Sequence, residues 1–151
     1  MRYIEAPTIY EPQPGELSIF LAGGIIGCPD WQTEMVDRLS DTKLAVINPR
    51  RKEFPNQEHD QYVTTHQIKW EFDHLRKVNC ILFWFPKEGL CQTSLYEIGC
   101  HSASSGIRMF VGIEPGYVKR GGLTKQLALI RPDMPVVSNL EDLELMIKGS
   151  I

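Results

Sequence analysis

The sequence predicts one doubly wound α/β domain, in which helices cover both faces of a five-stranded parallel sheet. Short apolar runs alternate with amphipathic segments along the chain, which is the pattern of parallel strands joined by helices. The chain has 151 residues, 42% of them hydrophobic and 23% charged, an ordinary composition for a single domain. We therefore predict one domain over residues 1–151, in which residues 1–16 form an irregular lead-in.

The individual elements follow from local patterns. The predicted strands are short apolar runs at residues 17–22, 44–47, 80–85, 109–113 and 136–137. Asp30 is predicted to cap the first helix, in which Trp31 and Leu39 share an apolar face. Thr64 and Gln67 have the spacing of a capping box at the start of the second helix, which we expect to end near residue 77. The remaining helices are predicted over residues 94–104, 123–130 and 140–148.

The segments that directly follow strands are the candidate ligand-binding segments, because ligands of open α/β sheets bind at the carboxyl ends of the strands. These segments are residues 23–30, 48–51, 84–94 and 114–117. The connection from Asn48 to about Tyr62 is polar and too long for a simple turn, so we expect it to shape a site.

The composition argues against several classes of partner and cofactor. A formal net charge of −3 without a run of Lys or Arg argues against polymeric nucleic acid as a partner. No stretch approaches 18 apolar residues and the first fifteen contain charges and prolines, so we expect a soluble cytoplasmic protein without a membrane partner. The cysteines lack a C-x-x-C pairing and the histidines lack a metal-binding spacing, so we expect reduced thiols, no metal and no cofactor.

Glu97 is the most informative candidate catalytic residue. It lies about one turn into the helix that follows the third predicted strand, beside the expected crevice. The Ser94-x-x-Glu97 spacing is also that of a capping box, in which the glutamate reaches back to the backbone of its cap. The spacing leaves both interpretations open, and the position at the crevice favours a carboxylate that meets a ligand.

Glu71 is the second candidate carboxylate. On its helix, Ile68, Phe72 and Leu75 define a predicted buried stripe, and Glu71 lies roughly 65° from the centre of that stripe. A glutamate at such a boundary is partly desolvated, which raises its pKa and favours the protonated form that a general acid needs. The alternative is a surface glutamate paired with a nearby Lys or Arg.

At these positions the sequence resembles the nucleoside 2-deoxyribosyltransferases and their shorter relatives. Six stretches in the right order carry the resemblance, and it reaches from about residue 17 to residue 117. The stretches are IFLAGG (19–24), PDWQ (29–32), INPRR (47–51), QIKWE (67–71), FWFP (83–86) and LYEIG (95–99).

The resemblance implies a flavodoxin-like fold and a nucleophilic glutamate at Glu97. In such a mechanism Glu97 attacks C1′ of the deoxyribose, and a second base or water resolves the glycosyl-enzyme intermediate with retention of configuration. By its position, Glu71 is then the residue that handles the proton on the base. Members of the family commonly complete each site with residues of a neighbouring subunit, so we expect a homo-oligomer, at least a dimer.

Two positions depart from the pattern of the family. Phe20 stands where many relatives have a tyrosine that bonds the nucleophile, so another group has to orient Glu97. Cys91 stands where many have an aspartate that holds the sugar, so we expect sugar recognition to differ.

Other residues are candidates for substrate binding, each with a structural alternative. Trp84 or Phe85 stacks on a base, or both are core aromatics. Arg50 or Arg51 binds a 5′-phosphate, or the two form a solvated charge pair. Asp30 and Ser94 are expected to cap helices, whether or not they also meet a ligand. The residues predicted to bind substrate are Phe20, Gly23, Gly24, Asp30, Trp31, Asn48, Arg50, Trp84 and Ser94.

Three functions remain open at this point. The first is transfer of a 2-deoxyribosyl group between bases. The second is hydrolysis of the same bond in a nucleoside 5′-monophosphate, which Arg50 and Arg51 favour. The third is a nucleotide-binding module without turnover, which the departures at Phe20 and Cys91 favour, since a fold does not by itself establish an activity.

Overall fold

The computed structural model describes the backbone of residues 1–52, 61–104 and 106–151, and the side chains of these residues except 61–64. The described strands are β1 (Arg2–Glu5), β2 (Ser18–Gly23), β3 (Ala45–Asn48), β4 (Cys80–Phe85), β5 (Arg108–Ile113) and β6 (Val136–Val137). The described helices are α1 (Trp31–Arg38), α2 (Gln61–Leu75), α3 (Gln92–Ser102), α4 (Arg120–Ile130) and α5 (Leu140–Lys148).

The strands form one parallel sheet in the order β1-β3-β2-β4-β5-β6. The predicted doubly wound α/β class is confirmed. From β2 onward the order is that of flavodoxin-like sheets, in which the chain moves first to one side of its central strand and then to the other. This reversal lies between β2 and β4, and the carboxyl ends of these two strands are where such a fold opens a crevice.

The predicted number of five strands is wrong, because the expected irregular lead-in contains β1. This strand pairs with β3 from Arg2↔Ala45 to Glu5↔Asn48 and forms one edge of the sheet. Four residues at a half-exposed edge show little alternation of polar and apolar side chains. The backbone partners on β3, rather than a local pattern, decide that this segment is a strand.

Each face of the sheet buries its own apolar core, because successive side chains of a strand point to opposite faces. In β2, Phe20 and Ala22 pack on the side of α2, α3 and α4, and Ile19 and Leu21 pack on the side of α1 and α5. All four side chains are buried. Helices on both faces therefore explain why the central strands are apolar throughout.

Helix α2 differs from its predicted form at its start and in its buried face. It begins at Gln61, so Thr64 lies inside the helix and is not its cap. Ile68 and Phe72, predicted to be buried, are 57% and 52% exposed. The inward face also contains the polar Gln67 and His74: the Gln67 Nε2 donates to the Pro49 carbonyl, and the His74 Nε2 accepts from the Tyr10 amide. Such partners come from distant parts of the chain and leave no local pattern.

The caps of α1 and α3 turn out differently. Asp30 caps α1 as predicted, and its Oδ1 accepts a hydrogen bond from the Thr33 amide at 3.1 Å. Helix α3 begins at Gln92, two residues earlier than predicted, so Ser94 lies in its first turn and is not the cap. The cap position is Cys91, whose side chain makes no capping hydrogen bond. Local spacing identified the first cap but placed the second wrongly.

Within the part of the chain that the structure describes, no helix combines the length and the apolar character that crossing a membrane requires. Residues 53–60 of the predicted polar connection between Asn48 and Tyr62 lie outside the described residues.

Candidate functional site

A cavity of about 540 Å³ opens at the carboxyl ends of β2 and β4. Its walls come from the end of β2 and the turn after it, from α2, and from the loop and first turns of α3. The described lining residues are Phe20, 22–26, Pro49, Gln67, Ile68, Glu71, 88–94 and Glu97. The cavity thus lies at the point where the winding of the sheet reverses, as the fold predicts.

Glu97 lines this cavity from the second turn of α3. Because Ser94 is not the N-cap, the capping box that offered a structural explanation for Glu97 does not form. The N-cap of α3 is instead Cys91, a non-glycine residue with a left-handed backbone at φ 50°. This backbone conformation is uncommon for residues other than Gly, Asn and Asp. It occurs here at a residue that lines the cavity.

Glu71 reaches the cavity from α2 and is held by its neighbour Gln67. The Gln67 Nε2 donates to Glu71 Oε1 at 2.8 Å and to the Pro49 carbonyl at 3.0 Å. Because the two residues are four apart, they lie on the same face of α2. The predicted boundary position of Glu71 agrees with the structure, although of the three residues that defined the predicted buried stripe only Leu75 is buried.

The two carboxyl groups perturb each other. Burial raises the pKa of Glu97 to about 8, and the nearby charge of Glu71 adds to the rise. Burial also raises the pKa of Glu71, although the Gln67 hydrogen bond and the charge of Arg51 act in the opposite direction. Two carboxyl groups coupled in this way titrate as a pair, which holds at least one proton at neutral pH. Such a pair can offer one carboxylate and one carboxylic acid at the same time.

Two glycines and a cysteine of the cavity lining, Gly24, Gly89 and Cys91, pack closely against one another and against Cys28. A Cβ atom at Gly24 would lie 2.6 Å from Cys28 Sγ and 2.9 Å from Cys91 Sγ, and one at Gly89 would lie 2.4 Å from Cys28 Sγ. A side chain at either glycine would therefore displace the Cys28 thiol, and one at Gly24 would also displace the Cys91 thiol. Burial raises the pKa of Cys91 to about 12, so this thiol carries no charge at neutral pH.

Phe20 forms part of the wall below the helix that bears Glu71. It is fully buried, and its ring lies 6.0 Å from that of Trp70 on α2 in a tilted arrangement. Phe20 has no hydroxyl group, and among the described residues no hydrogen bond holds the Glu97 carboxylate. An apolar wall of this kind explains why the charged form of Glu97 is disfavoured.

Five residues predicted to bind substrate lie outside the described lining and have structural roles. Trp31 Nε1 donates to the Gly24 carbonyl at 2.8 Å, and Trp84 is buried in the core on the opposite face of the sheet. Asn48 donates to the Tyr3 hydroxyl at 3.0 Å. Arg50 donates to the Pro29 carbonyl at 2.9 Å and lies 3.6 Å from Asp30. Trp84 and Phe85 are both buried, so both are core aromatics, the structural alternative to stacking on a base.

The other predicted binding residues come together in the cavity, and the structure adds several that the sequence reasoning did not select. Phe20, Gly23, Gly24 and Ser94 line it together with both glutamates. Gln67 was not selected, although its place four residues before Glu71 is a recognisable helical pairing. The described residues include no group of three His, Cys, Asp or Glu side chains arranged to hold a metal ion.

Comparison with known proteins identifies the family of the chain. A family model described as nucleoside 2-deoxyribosyltransferase like matches residues 16–117, which include both glutamates and all the described lining residues. No curated protein matches the chain. The matched segment covers about two thirds of the sequence and runs from β2 through β5, so the chain belongs to the nucleoside 2-deoxyribosyltransferase-like family.

Proposed function

We propose that the protein cleaves the N-glycosidic bond of a 2′-deoxynucleoside and transfers the sugar to another base. The observation that carries this proposal is the pair of buried carboxyl groups, Glu71 and Glu97, in one cavity at the carboxyl ends of β2 and β4. A retaining glycosidic reaction needs one carboxylate as nucleophile and one carboxylic acid as proton donor. A coupled pair with one proton supplies both.

In the proposed reaction, ionised Glu97 attacks C1′ and forms an ester bond to the sugar. The bond between C1′ and the base nitrogen breaks, and its electron pair leaves with the base. Glu71 gives its proton to the departing base, so the base leaves as a neutral molecule. An acceptor base then attacks C1′ and releases Glu97, while Glu71 takes up the proton that the acceptor loses. Two inversions at C1′ give overall retention.

The charges around the cavity favour a nucleoside over a nucleoside 5′-monophosphate. The described lining contains three acidic residues, Glu71, Glu88 and Glu97, and no Lys or Arg. Residues 53–60 contain no Lys or Arg either. Arg50, which would favour a phosphate, donates instead to the Pro29 and Cys28 carbonyls of the β2–α1 loop and to the Gln32 Oε1 of α1. A phosphate dianion in the cavity would meet repulsion from these carboxyl groups, which the charge of Arg51 near Glu71 offsets only in part.

The direct test is incubation of the purified protein with a panel of deoxynucleosides and deoxynucleoside 5′-monophosphates, each with and without an acceptor base. We expect exchange of bases from the nucleosides, detected by chromatography. Release of base from the monophosphates alone, without exchange, would identify the hydrolytic alternative. If no base is released or exchanged from any substrate, the protein is a binding module and the proposal fails.

Replacement of the nucleophile tests the assignment of Glu97. We expect Glu97→Gln to lower kcat by at least about a thousandfold, because an amide cannot attack C1′. The matched control is Glu141→Gln, an exposed glutamate in the first turn of α5 on the opposite face of the sheet. This control should retain wild-type activity. Comparable activity in both variants would mean that another group is the nucleophile.

A further inference from the structure

Residues 114–117 follow β5 and contact the β4–α3 loop, which consists of residues 86–91. The sequence predicted this segment as a candidate for ligand binding, but none of its residues belongs to the described lining of the cavity. The Glu114 amide donates to the Phe85 carbonyl at 3.0 Å, so the segment starts against the carboxyl end of β4. Its role is therefore to be sought in the loop that it contacts, whose residues 88–91 do line the cavity.

Two side chains of this segment hold the β4–α3 loop on either side of residues 88 and 89. Glu114 accepts from the Lys87 amide at 3.1 Å through Oε2 and from the Lys87 Nζ at 2.7 Å through Oε1. The Tyr117 hydroxyl donates to the Leu90 carbonyl at 3.0 Å. These contacts flank residues 88 and 89, both of which line the cavity. The position of this part of the wall therefore depends on Glu114 and Tyr117.

Of the two contacts, the one made by Tyr117 is the better protected from solvent. Tyr117 is only 3% exposed, and its ring packs against that of Phe85 with 5.4 Å between the centroids. Burial raises the pKa of Tyr117 to about 12, so its hydroxyl remains a donor over the range in which the two glutamates titrate. The side chains of Lys87 and Glu114 are 52% and 24% exposed, and ion pairs in contact with water contribute little. The Tyr117 hydroxyl is therefore the contact that fixes the loop.

The hydrogen bond of Tyr117 acts on the peptide group that precedes α3. The Leu90 carbonyl belongs to the planar peptide that joins Leu90 to Cys91, so a donor on this oxygen fixes the plane of that peptide. The rotation of Cys91 relative to this plane is its φ angle, which is the left-handed 50° of the N-cap. Such a conformation costs free energy and persists only where surrounding contacts hold it. Tyr117 supplies one of these contacts.

Glu97 lies in the second turn of the helix that Cys91 caps. The direction in which α3 leaves its cap therefore determines where the Glu97 carboxyl lies in the cavity. We propose that Tyr117 is a positioning residue for Glu97: its hydroxyl sets the start of α3 and thereby places the Glu97 carboxyl beside that of Glu71. The inference rests on the proposed function, in which Glu97 attacks C1′ and has to be held in one geometry.

Removal of the hydroxyl alone tests this role. In Tyr117→Phe we expect kcat for base exchange to fall at least about tenfold, because the nucleophile is no longer held for attack. The acidic limb of kcat/KM should move to lower pH, because a displaced Glu97 is less buried and lies farther from the Glu71 carboxyl, which helps to raise its pKa. Urea denaturation should show that the variant remains folded. A role in stability alone would leave kcat and the limb unchanged.

Tyr10→Phe is the matched control. Tyr10 is 1% exposed, and its hydroxyl donates to Glu16 at 3.3 Å within the N-terminal lead-in. The substitution therefore removes a similarly buried hydroxyl whose hydrogen bond does not involve the β4–α3 loop. This variant should retain the wild-type kcat and the wild-type midpoint of the acidic limb.

A measurement without substrate separates this inference from the proposed function. NMR titration of isotopically labelled glutamate carboxyls follows the ionisation of Glu97, whose signal is identified by its absence in Glu97→Gln. We expect the pKa of Glu97 to be lower in Tyr117→Phe than in the wild-type protein or in Tyr10→Phe. An unchanged pKa in Tyr117→Phe, an unchanged kcat in this variant of an active enzyme, or an equal change in both tyrosine variants would overturn the inference. If the wild-type protein neither releases nor exchanges a base, the proposed function fails, whereas a lowered pKa in Tyr117→Phe alone still supports the positioning.

Discussion

At the scale of single residues, the properties of Glu97 depend on two groups that the sequence separates widely. Burial of Glu97 in the wall of the cavity and the nearby Glu71 carboxyl both disfavour a second negative charge in the cavity. In the empty site Glu97 is therefore largely protonated at neutral pH, whereas attack on C1′ requires the carboxylate. The activity of the protein should therefore depend on pH through the protonation state of the two carboxyl groups.

The pH profile of kcat/KM is the corresponding measurement, since it reports the ionisation of the free enzyme. The pKa of Glu97 is raised to about 8, so we expect kcat/KM to fall as the pH decreases below that value and the nucleophile becomes protonated. In Glu71→Gln this acidic limb should move to lower pH, because the neighbouring charge that raises the pKa is gone. Glu88→Gln, at another acidic position of the lining, should leave the midpoint of the limb in place. An unchanged midpoint in Glu71→Gln would contradict the coupling.

At the scale of secondary-structure elements, β5 packs tightly against Trp84 of β4 and Leu143 of α5. A Cβ atom at Gly112 would lie 2.6 Å from Trp84 Cε3 and 2.7 Å from Leu143 Cδ1. Trp84 is adjacent to Gly112 across the β4–β5 pair, and Leu143 comes from α5. The indole of Trp84 thus occupies the space that a side chain on β5 would need, which is why Trp84 serves the core rather than the cavity.

Two glycine substitutions measure this fit. We expect Gly112→Ala to lower the free energy of unfolding by about 1–3 kcal/mol, because the added methyl group overlaps a rigid indole. Gly121→Ala in α4 is the control: its Cβ meets nothing within 4 Å, so the higher helix propensity of Ala should raise stability by about 0.5–1 kcal/mol. Both values follow from urea denaturation. If Gly112→Ala left the free energy of unfolding unchanged, α5 and Trp84 would have to move away from β5 at little cost, which would contradict the tight packing.

At the scale of the whole molecule, the N-terminal lead-in fixes the helix that bears Gln67 and Glu71. The Tyr10 amide donates to His74 Nε2 at 2.9 Å, and Trp70 Nε1 donates to the Thr8 carbonyl at 2.9 Å. His74 Nε2 is therefore the acceptor nitrogen, and the proton on Nδ1 is donated to the Trp70 carbonyl at 2.6 Å. The two rings stack at 3.9 Å. Helix α2 is thereby clamped between the sheet and the lead-in.

Acid should release this clamp. Burial lowers the pKa of His74, so its neutral form contributes stability above the unfolded pKa near 6.5, and that stability is lost as the pH falls through the folded value. A protonated Nε2 cannot accept from the Tyr10 amide. Hydrogen exchange should therefore show protection of Tyr10 at pH 7 that declines at pH 5, while Ala6, whose amide donates to the Asn48 carbonyl at 3.0 Å, stays protected.

The variant His74→Phe separates the hydrogen bond from the stacking. Phenylalanine preserves a ring against Trp70 but has no acceptor, so Tyr10 should exchange quickly at both pH values in this variant. Equal loss of protection at Tyr10 and Ala6 in the wild-type protein on acidification would instead indicate general unfolding.

The sequence predicted the elements with the strongest local patterns. The apolar runs of β4 and β6, the limits of α5 and the Asp30 cap of α1 are all present in the structure. Such features could be predicted because hydrophobic periodicity and capping depend on residues a few positions apart. The expectation that ligands bind at the carboxyl ends of the strands selected Glu97 from the sequence, and both candidate glutamates line the cavity at that edge of the sheet.

The tertiary structure decided the features that depend on partners far away in the sequence. Strand β1 exists because β3 supplies its hydrogen bonds. Gln67 and His74 face inward with distant partners, since the Gln67 Nε2 donates to the Pro49 carbonyl and the His74 Nε2 accepts from the Tyr10 amide. The sequence by itself determined the fold class and a short list of carboxylates. Only the packed chain decided that two of them share one buried cavity, because desolvation and charge coupling depend on distance in space.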